Sequence, residues 1–192
     1  LWSGHTSKDA ADDTPSLLYA VGQHAFVLAK CLDKLEQNYL DALAKLRDVL
    51  RHAPQGRDVH SSVERTLRLC IVPKLTHFAR AFPPSLVRDA LKRCDDATVQ
   101  FVVTDLYQWS ADRFWSRQHR HAAGLFLQLP RGGGFIPQHQ LADSAYVASW
   151  LQPARTIAEA YGMSETALLR VWSRSDHSPA LQEMKASLGK LG

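Results

Sequence analysis

The sequence predicts a mainly α-helical protein: a helical bundle with a short extended segment and glycine loop, followed by a C-terminal helical appendage. Apolar residues recur at steps of three and four along most of the chain, which is the spacing of one face of an α-helix. Prolines and glycines interrupt this pattern where helices end. A 45% hydrophobic content over 192 residues is enough for the core of one domain with a small appendage.

The first predicted helix runs from His24 to Arg51, and Pro54 and Gly56 end it. Its apolar face follows steps of four, three, four, four, three and four: Leu28, Leu32, Leu35, Tyr39, Leu43, Leu46 and Leu50. Asp58 can cap a second helix. The inward face of that helix is predicted to be Val63, Leu67, Cys70 or Ile71, Leu75 and Phe78.

Pro73 falls inside the second helix, where proline removes a hydrogen bond and costs about 3 kcal/mol unless a kink is favoured. Because helical spacing continues on both sides, we expect Pro73 within one helical run. Pro83 and Pro84 end that run, and a third helix begins after them with Ser85 near its first turn. Its apolar positions are Leu86, Val87, Leu91, Cys94, Val99, Val102, Val103 and Leu106.

The remaining elements are shorter. A helix is expected over Ala111 to His121, an extended segment over Leu125 to Leu129, and a glycine loop over Gly132 to Ile136. A further helix covers Gln140 to Leu151, and Pro153 starts another. The predicted organisation is an N-terminal loop (1–16), a helical domain (17–152) and an appendage (153–192).

The excess positive charge is concentrated in one segment. Residues 113–152 carry four arginines and a single acid, while residues 1–57 and 58–112 each balance seven basic against seven acidic side chains. The run from Asp112 to His121 mixes arginines with aromatic rings, and arginine forks match phosphate oxygens while aromatic faces stack on bases. The alternative is a solvated face over a core of Phe114 and Trp115. The candidate contacts in this segment are Arg113, Trp115, Arg117, Arg120, His121 and Arg131.

Residues 157–171 have the pattern of a helix-turn-helix. Ala158 is the small residue that lets two helices approach, Gly162 suits a left-handed turn, and Ser164 can cap the second helix. The apolar residues expected to close its core are Ile157, Tyr161, Met163, Leu168 and Val171. The same features also suit any tight antiparallel helix pair, so DNA reading and simple packing both stay open.

The stretch from Val63 to Val102, with its Pro83-Pro84 stop, and the later run LFLQLPRGGGFIPQHQLADSAYVASW together resemble a known region. It is the region after the palm in non-LTR-retrotransposon-type reverse transcriptases. There a helical thumb carries an arginine- and leucine-rich helix ending in a Pro-Pro turn, and a leucine-proline, double-glycine, alanine-rich segment follows. The resemblance covers residues 17–152. Where the family has Gly-Gly-Leu-Gly-Leu, this chain has Gly132-Gly133-Gly134-Phe135-Ile136.

The resemblance implies that the chain grips an RNA–DNA hybrid or duplex backbone without sequence preference. It also implies an upstream polymerase palm as a further partner. The resembled thumb lays its helix along the primer–template minor groove, which makes Arg65, Arg68 and Lys74 a second candidate patch. Two alternatives stay open: a DNA-binding regulator that uses the helix-turn-helix, and a structural remnant that binds nothing.

No catalytic site is predicted. The family's chemistry needs palm aspartates that hold two metals, and the nearest string here, Ala11-Asp12-Asp13, lies in a polar stretch without flanking strands. We therefore expect no polymerase activity from this chain alone. No metal-ligand spacing or phosphate-binding glycine loop occurs, so no cofactor is expected.

Bulk features predict an intracellular protein, cytoplasmic or nuclear, without a membrane segment. No apolar run reaches the roughly 18 residues typical of a membrane span, and no signal pattern is present. The three cysteines, Cys31, Cys70 and Cys94, are scattered and odd in number, which is typical of reduced thiols with a role in the core.

Overall fold

The computed structural model describes residues 14–53, 57–108, 135–175 and 178–192. In these ranges the chain is helical with no β-strand, which confirms the predicted mainly α class. The α-helices of the described ranges are α1 (Thr14–His52), α2 (Arg57–Thr66), α3 (Val72–Ala81), α4 (Pro84–Phe101), α5 (Gln138–Leu151), α6 (Ala154–Ala160), α7 (Glu165–Arg174) and α8 (Pro179–Leu191). Two π-helical segments, Leu67–Ile71 and Val102–Leu106, follow α2 and α4.

The chain divides into two compact units, residues 1–35 and 36–192. The described part of the first unit is the N-terminal portion of α1, and every contact discussed below belongs to the second unit. The predicted N-terminal loop (1–16) is too long, because α1 begins at Thr14 and proline is tolerated in a first helical turn at Pro15. The predicted helix at 111–121, the extended segment at 125–129 and Gly132–Gly134 lie outside the described residues.

The α1 helix buries Tyr39 and Leu43 of the face that the sequence predicts, and it contacts α4 through side-chain hydrogen bonds. The Tyr39 hydroxyl lies 2.7 Å from the Thr98 hydroxyl, which itself donates to the Cys94 carbonyl at 2.9 Å. Tyr39 is therefore the donor of the first bond. Burial raises the pKa of Tyr39, which keeps this phenol protonated.

The α2 and α3 helices form one continuous run through the π segment, so the prediction for Pro73 is confirmed. The buried residues of this run advance in constant steps of four: Val63, Leu67, Ile71, Leu75 and Ala79. Each step of four rotates a side chain by about 40° in an α-helix, so five such positions would spread over about 160°. The wider π turn, closed by the Val72 N–H on the Leu67 carbonyl, cancels that drift.

The π segment also accommodates Pro73. In an α-helix the proline ring clashes with the carbonyl four residues earlier, which here belongs to Leu69. Leu69 lies in the middle of the π segment, where the backbone departs from α-helical geometry. The π segment thus relieves the steric clash that Pro73 would make in a regular α-helix.

The predicted break at Pro83-Pro84 is also confirmed. Phe82 and Pro83 are extended, and α4 begins at Pro84. The α4 face that enters the core differs from the prediction in two places, because Leu86 is 48% exposed and Val99 is only half-buried. The buried residues of α4 and the π segment after it are Pro84, Val87, Ala90, Leu91, Cys94, Thr98, Phe101, Val102, Val103 and Leu106.

The α5 helix joins α3, α4 and α8. The Asp95 carboxylate on α4 accepts hydrogen bonds from the first backbone N–H groups of α5, those of Gln138 and His139, at 3.0 and 2.9 Å. These donors have no partner within their own helix, so a carboxylate from α4 serves as the cap. On the same helix Asp143 accepts from Arg88 of α4 at 2.7 Å and from Lys190 of α8 at 3.4 Å.

The predicted boundary between residues 152 and 153 does not coincide with a break in packing. Tyr146 and Val147 of α5 form one buried cluster with Leu181 and Met184 of α8. Trp172 of α7 packs against this cluster and also against the small core of α6 and α7. Residues 153–192 are therefore joined to α5 through an apolar contact.

The cysteines do not all have the core role predicted for them. Cys94 is fully buried, and burial raises the pKa of its thiol to about 12. Cys31 and Cys70 are exposed. Cys70 points outward because the π segment turns Ile71 into the core in its place, which decides between the two positions that the periodicity left open.

Candidate nucleic-acid interface

The surface of the α2–α3 run carries the candidate basic residues. With a constant step of four, the row opposite the buried one consists entirely of exposed residues: Ser61, Arg65, Leu69, Pro73, His77 and Ala81. The neighbouring row holds Thr66, Cys70 and Lys74, which are exposed as well. In the described part of the chain no carboxylate pairs with Arg65 or Lys74. Both side chains are thus available to an anion.

The π segment determines the direction of Lys74. Counted at 100° per residue from Val63, a regular α-helix would place Cys70 and Lys74 within about 20° of Val63. An ammonium group would then point into the core, where an unpaired charge is costly. The widened turn places Ile71 and Leu75 there and leaves Lys74 exposed. A backbone irregularity therefore keeps this cation on the surface.

Arg68 lies at the edge of this surface and makes two contacts. Its Nη1 is 3.5 Å from Glu64 Oε1, one helical turn earlier. Its guanidinium carbon is 5.7 Å from the centre of the Phe135 ring, a cation–π distance. Arg68 is also on the wall of a depression of about 350 Å³, together with Ser61, Glu64, Arg65 and Leu69. Arg65 and Arg68 therefore both line this depression, and Lys74 does not.

The described residues that precede and follow the arginine-rich segment 109–134 in the sequence lie beside α2. Before the segment, Nδ1 of His60 is 3.1 Å from the Leu106 carbonyl at the end of the π segment. Burial raises the pKa of Tyr107, the nearby Glu64 carboxylate raises it further, and Arg68 opposes this. At the other end, the buried ring of Phe135 lies beneath Arg68. Tyr107 and Phe135, which flank this segment in the sequence, thus both lie near Arg68 of α2.

The sequence-predicted residues Arg113, Trp115, Arg117, Arg120, His121 and Arg131 lie outside the described residues. Sequence reasoning missed Glu64, Leu69 and Phe135 as neighbours of the basic residues. An i, i+4 spacing connects Glu64 to Arg68 and was a visible signal. The exposure of Leu69 depends on the π segment, which has no simple sequence signature.

Several other arginines are occupied by structural contacts. Arg47 forms two 2.8 Å bonds with the carboxylate of Asp105, and Arg93 contacts Glu36 at 2.7–2.9 Å. These pairs join α1 to α4 and to the π segment that follows it. Their charges are neutralised locally, which leaves the α2–α3 surface as the better site for a polyanion.

The α6–α7 pair has helix-turn-helix geometry. Gly162 has φ +63°, a left-handed conformation that favours glycine, and the Ser164 hydroxyl accepts from the Ala167 N–H at 3.2 Å. Ala158 is buried, so the two helices approach closely there. The exposed side of α7 presents Thr166, Arg170, Ser173 and Arg174, with Glu165 in the first turn.

The prediction that Tyr161 and Val171 close the core of this motif is wrong. Tyr161 is 75% exposed and Val171 is 56% exposed. Leu169 and Trp172 pack against the core of Ala154, Ala158 and Leu168 instead. The reason is that α7 also faces α5, where Trp172 meets Trp150 edge-on with ring centres 5.6 Å apart. An isolated helix pair would not include that contact.

Comparison with known proteins gives no relative: no protein-family model, curated protein or solved structure matches the chain significantly. The resemblance to reverse transcriptases therefore has no support from these comparisons. Among the described residues no group of three or more His, Cys, Asp or Glu side chains could hold a metal ion. No helix within the described ranges is sufficiently long and apolar to cross a membrane.

Proposed function

We propose that this protein binds the backbone of an RNA–DNA hybrid or a duplex, without sequence preference, through the α2–α3 surface with Arg65, Arg68 and Lys74. The resemblance of the sequence suggests that it does so as the non-catalytic portion of a reverse-transcriptase-like polypeptide. Guanidinium and ammonium groups bind phosphate oxygens, and such contacts carry no base information.

The observation that carries the proposal is that α2 lies beside described residues on both sides of segment 109–134 in the sequence. Tyr107 lies near Glu64 and Arg68, and the Phe135 ring lies beneath Arg68. The segment between Tyr107 and Phe135 contains Arg113, Arg117, Arg120 and Arg131. We expect these arginines to act with the basic residues of α2–α3 on a single polyanion, because clustered positive charge attracts it over long range.

The proposal is tested by replacing Arg65 and Lys74 with Ala and titrating a blunt RNA–DNA hybrid at several salt concentrations. Loss of two phosphate contacts should lower the salt slope by nearly two and weaken binding equally for unrelated sequences. The charge-matched control is Lys45→Ala with Lys92→Ala, on exposed faces of α1 and α4. An equal effect of both double variants would show that only net charge matters, and would contradict a site on α2–α3.

A second candidate function, a DNA-reading regulator, is favoured by one observation: the left-handed Gly162 and the Ser164 cap hold α7 with its outer face exposed. In this case Arg170 and Arg174 would contact DNA in the major groove. A gel shift that compares a palindromic duplex library with a hybrid separates the two functions. Selective retention of one duplex sequence, lost in Arg170→Ala with Arg174→Ala, would favour the regulator.

A further inference from the structure

The start of α5 holds a histidine ring in a fixed orientation. Nδ1 of His139 lies 2.7 Å from Oδ2 of Asp95, and the same carboxylate accepts the backbone N–H groups of Gln138 and His139. Because a carboxylate only accepts hydrogen bonds, Nδ1 carries the ring hydrogen. The lone pair of the neutral ring is therefore on Nε2. The side chain of His139 is 25% exposed, so the ring is not closed off from solvent.

Lys92 lies on the same face of α4 as the two side chains that contact residue 139. Arg88 donates to the His139 carbonyl at 3.1 Å, and Asp95 binds the His139 ring. Lys92 is four residues after Arg88 and three before Asp95, so it is a neighbour of both on the helix surface. It is exposed, and no carboxylate pairs with it in the described part of the chain. An oriented nucleophilic nitrogen and an unneutralised cation thus occupy one edge of the α4–α5 contact.

We infer that His139 is a phosphoryl acceptor, and that the Lys92 ammonium group binds the oxygens of the incoming phosphoryl group. The inference goes beyond the proposed function and does not depend on it. The donor is a compound with a phosphorus–nitrogen bond, of which phosphoramidate is the simplest. The Nε2 lone pair forms a bond to phosphorus while the donor's P–N bond breaks, and the protonated donor nitrogen leaves as ammonia. One P–N bond replaces another, so the step needs no further reactant.

Asp95 acts in this step as a positioning residue with a charge. The ring becomes positively charged when Nε2 binds phosphorus, and the carboxylate on Nδ1 stabilises that charge as it stabilises an imidazolium. The ammonium group of Lys92 offsets the negative charge of the phosphoryl oxygens. Capping the first N–H groups of α5 requires neither of these charges, because an amide oxygen also accepts from an N–H group.

His52 provides a reference within the same chain. Its Nδ1 lies 2.9 Å from the Asp48 carbonyl, which selects the same tautomer through a neutral acceptor, and the residue is exposed. Exposure alone therefore predicts faster phosphorylation of His52. The carboxylate and the ammonium group predict the opposite order.

The test treats the full chain with phosphoramidate at neutral pH and follows phosphate on each histidine by peptide mass spectrometry. His139 should react about tenfold faster than His52, the factor expected from one charge-assisted hydrogen bond. Asp95→Asn keeps an oxygen for the N–H groups but removes the charge, so it should lower the rate at His139 to that at His52. Lys92→Ala should also lower the rate at His139, and Lys45→Ala, at an exposed position on α1, should leave it unchanged.

A rate at His139 no higher than that at His52 would overturn the inference. An excess that survives Asp95→Asn, in a chain whose circular dichroism spectrum is unchanged, would overturn it as well. If Asp95→Asn alters that spectrum, the lysine variants decide. Equal rates at His139 in Lys92→Ala and Lys45→Ala would then exclude the proposed site, and a rate lowered in Lys92→Ala alone would support it.

Discussion

At the residue scale, single side chains decide how helices are joined and where water is excluded. Asp143 lies between Arg88 and Lys190 and so connects α4, α5 and α8. Burial raises the pKa of Asp143, but the Arg88 hydrogen bond and the nearby cations lower it by a larger amount. The net pKa therefore lies below that of a free carboxyl. No periodicity predicts this contact, because its members are far apart in the sequence.

The lowered pKa of Asp143 predicts an acid-dependent stability. A carboxyl with a depressed folded-state pKa contributes stability that is present above its unfolded pKa, about 3.9, and is lost as pH falls through the folded pKa. Asp143→Asn should lower the free energy of unfolding by about 1–2 kcal/mol at pH 6, and the difference should shrink as the pH falls from about 5 to 2. Urea unfolding across this range measures it.

Asp96→Asn, at an exposed position on α4, is the control for this titration and should change stability by less than about 0.5 kcal/mol. A difference for Asp143→Asn that stays constant down to pH 2 would show that its carboxylate does not contribute through its charge.

Two glycines provide a matched pair of substitutions. Gly162→Ala should destabilise the protein by about 1 kcal/mol, because φ +63° strains an L-residue although nothing lies within 4 Å of the added Cβ. Gly189→Ala, in α8 with equally open space, should stabilise by about 0.5–1 kcal/mol. Thermal unfolding measures both. The same sign for both substitutions would contradict this account.

At the element scale, the helices α1, α2–α3 and α4 were predictable because each buries one apolar stripe of three- and four-residue steps. The π segments and the inward face of α7 were not. Constant steps of four through Val63, Leu67 and Ile71 are the available signal for the first π segment, but they also resemble an ordinary amphipathic helix. The position of Trp172 depends on α5, which the spacing within residues 157–171 cannot show.

The first π segment and Pro73 should compensate for each other. Deleting Leu69 alone restores α-helical spacing to the buried row but leaves Pro73 in an α-helix interior, which should cost about 2–3 kcal/mol. Combining the deletion with Pro73→Ala should recover most of that loss. Chemical denaturation of the single and double variants gives the coupling energy. A double variant as unstable as the deletion alone would show that the π segment has another cause.

At the scale of the whole molecule, residues 36–192 bring together parts of the chain that the sequence separates. The expected appendage joins α5 through Trp172, and Tyr107 and Phe135 both lie near Arg68 of α2. The candidate site was therefore predictable only in part. Arg65, Arg68 and Lys74 became candidates through the resemblance of their helix to a thumb helix, but the closeness of Arg68 to Tyr107 and Phe135 is a property of the tertiary structure.

The proposal that the arginine-rich segment binds the same polyanion gives a prediction. Replacing Arg113, Arg117 and Arg120 with Ala should weaken hybrid binding and lower the salt slope by nearly one unit for each lost phosphate contact. The loss should be similar for unrelated sequences, and thermal stability should stay almost unchanged. An unchanged affinity and slope would leave the α2–α3 surface as the remaining candidate.

The buried bond between Tyr39 and Thr98 has a consequence for alignment. Apolar stripes on two long helices remain compatible when one helix slides by a full turn, because leucine, valine and isoleucine fit many neighbours. Such a slip would leave the Tyr39 hydroxyl buried without a partner, at a cost of about 1–3 kcal/mol. This buried contact, made across 59 positions of sequence, therefore favours one axial alignment of α1 against α4, together with the Arg93–Glu36 and Arg47–Asp105 pairs. The free-energy cost of leaving this hydroxyl unpaired makes the interface more specific for one alignment.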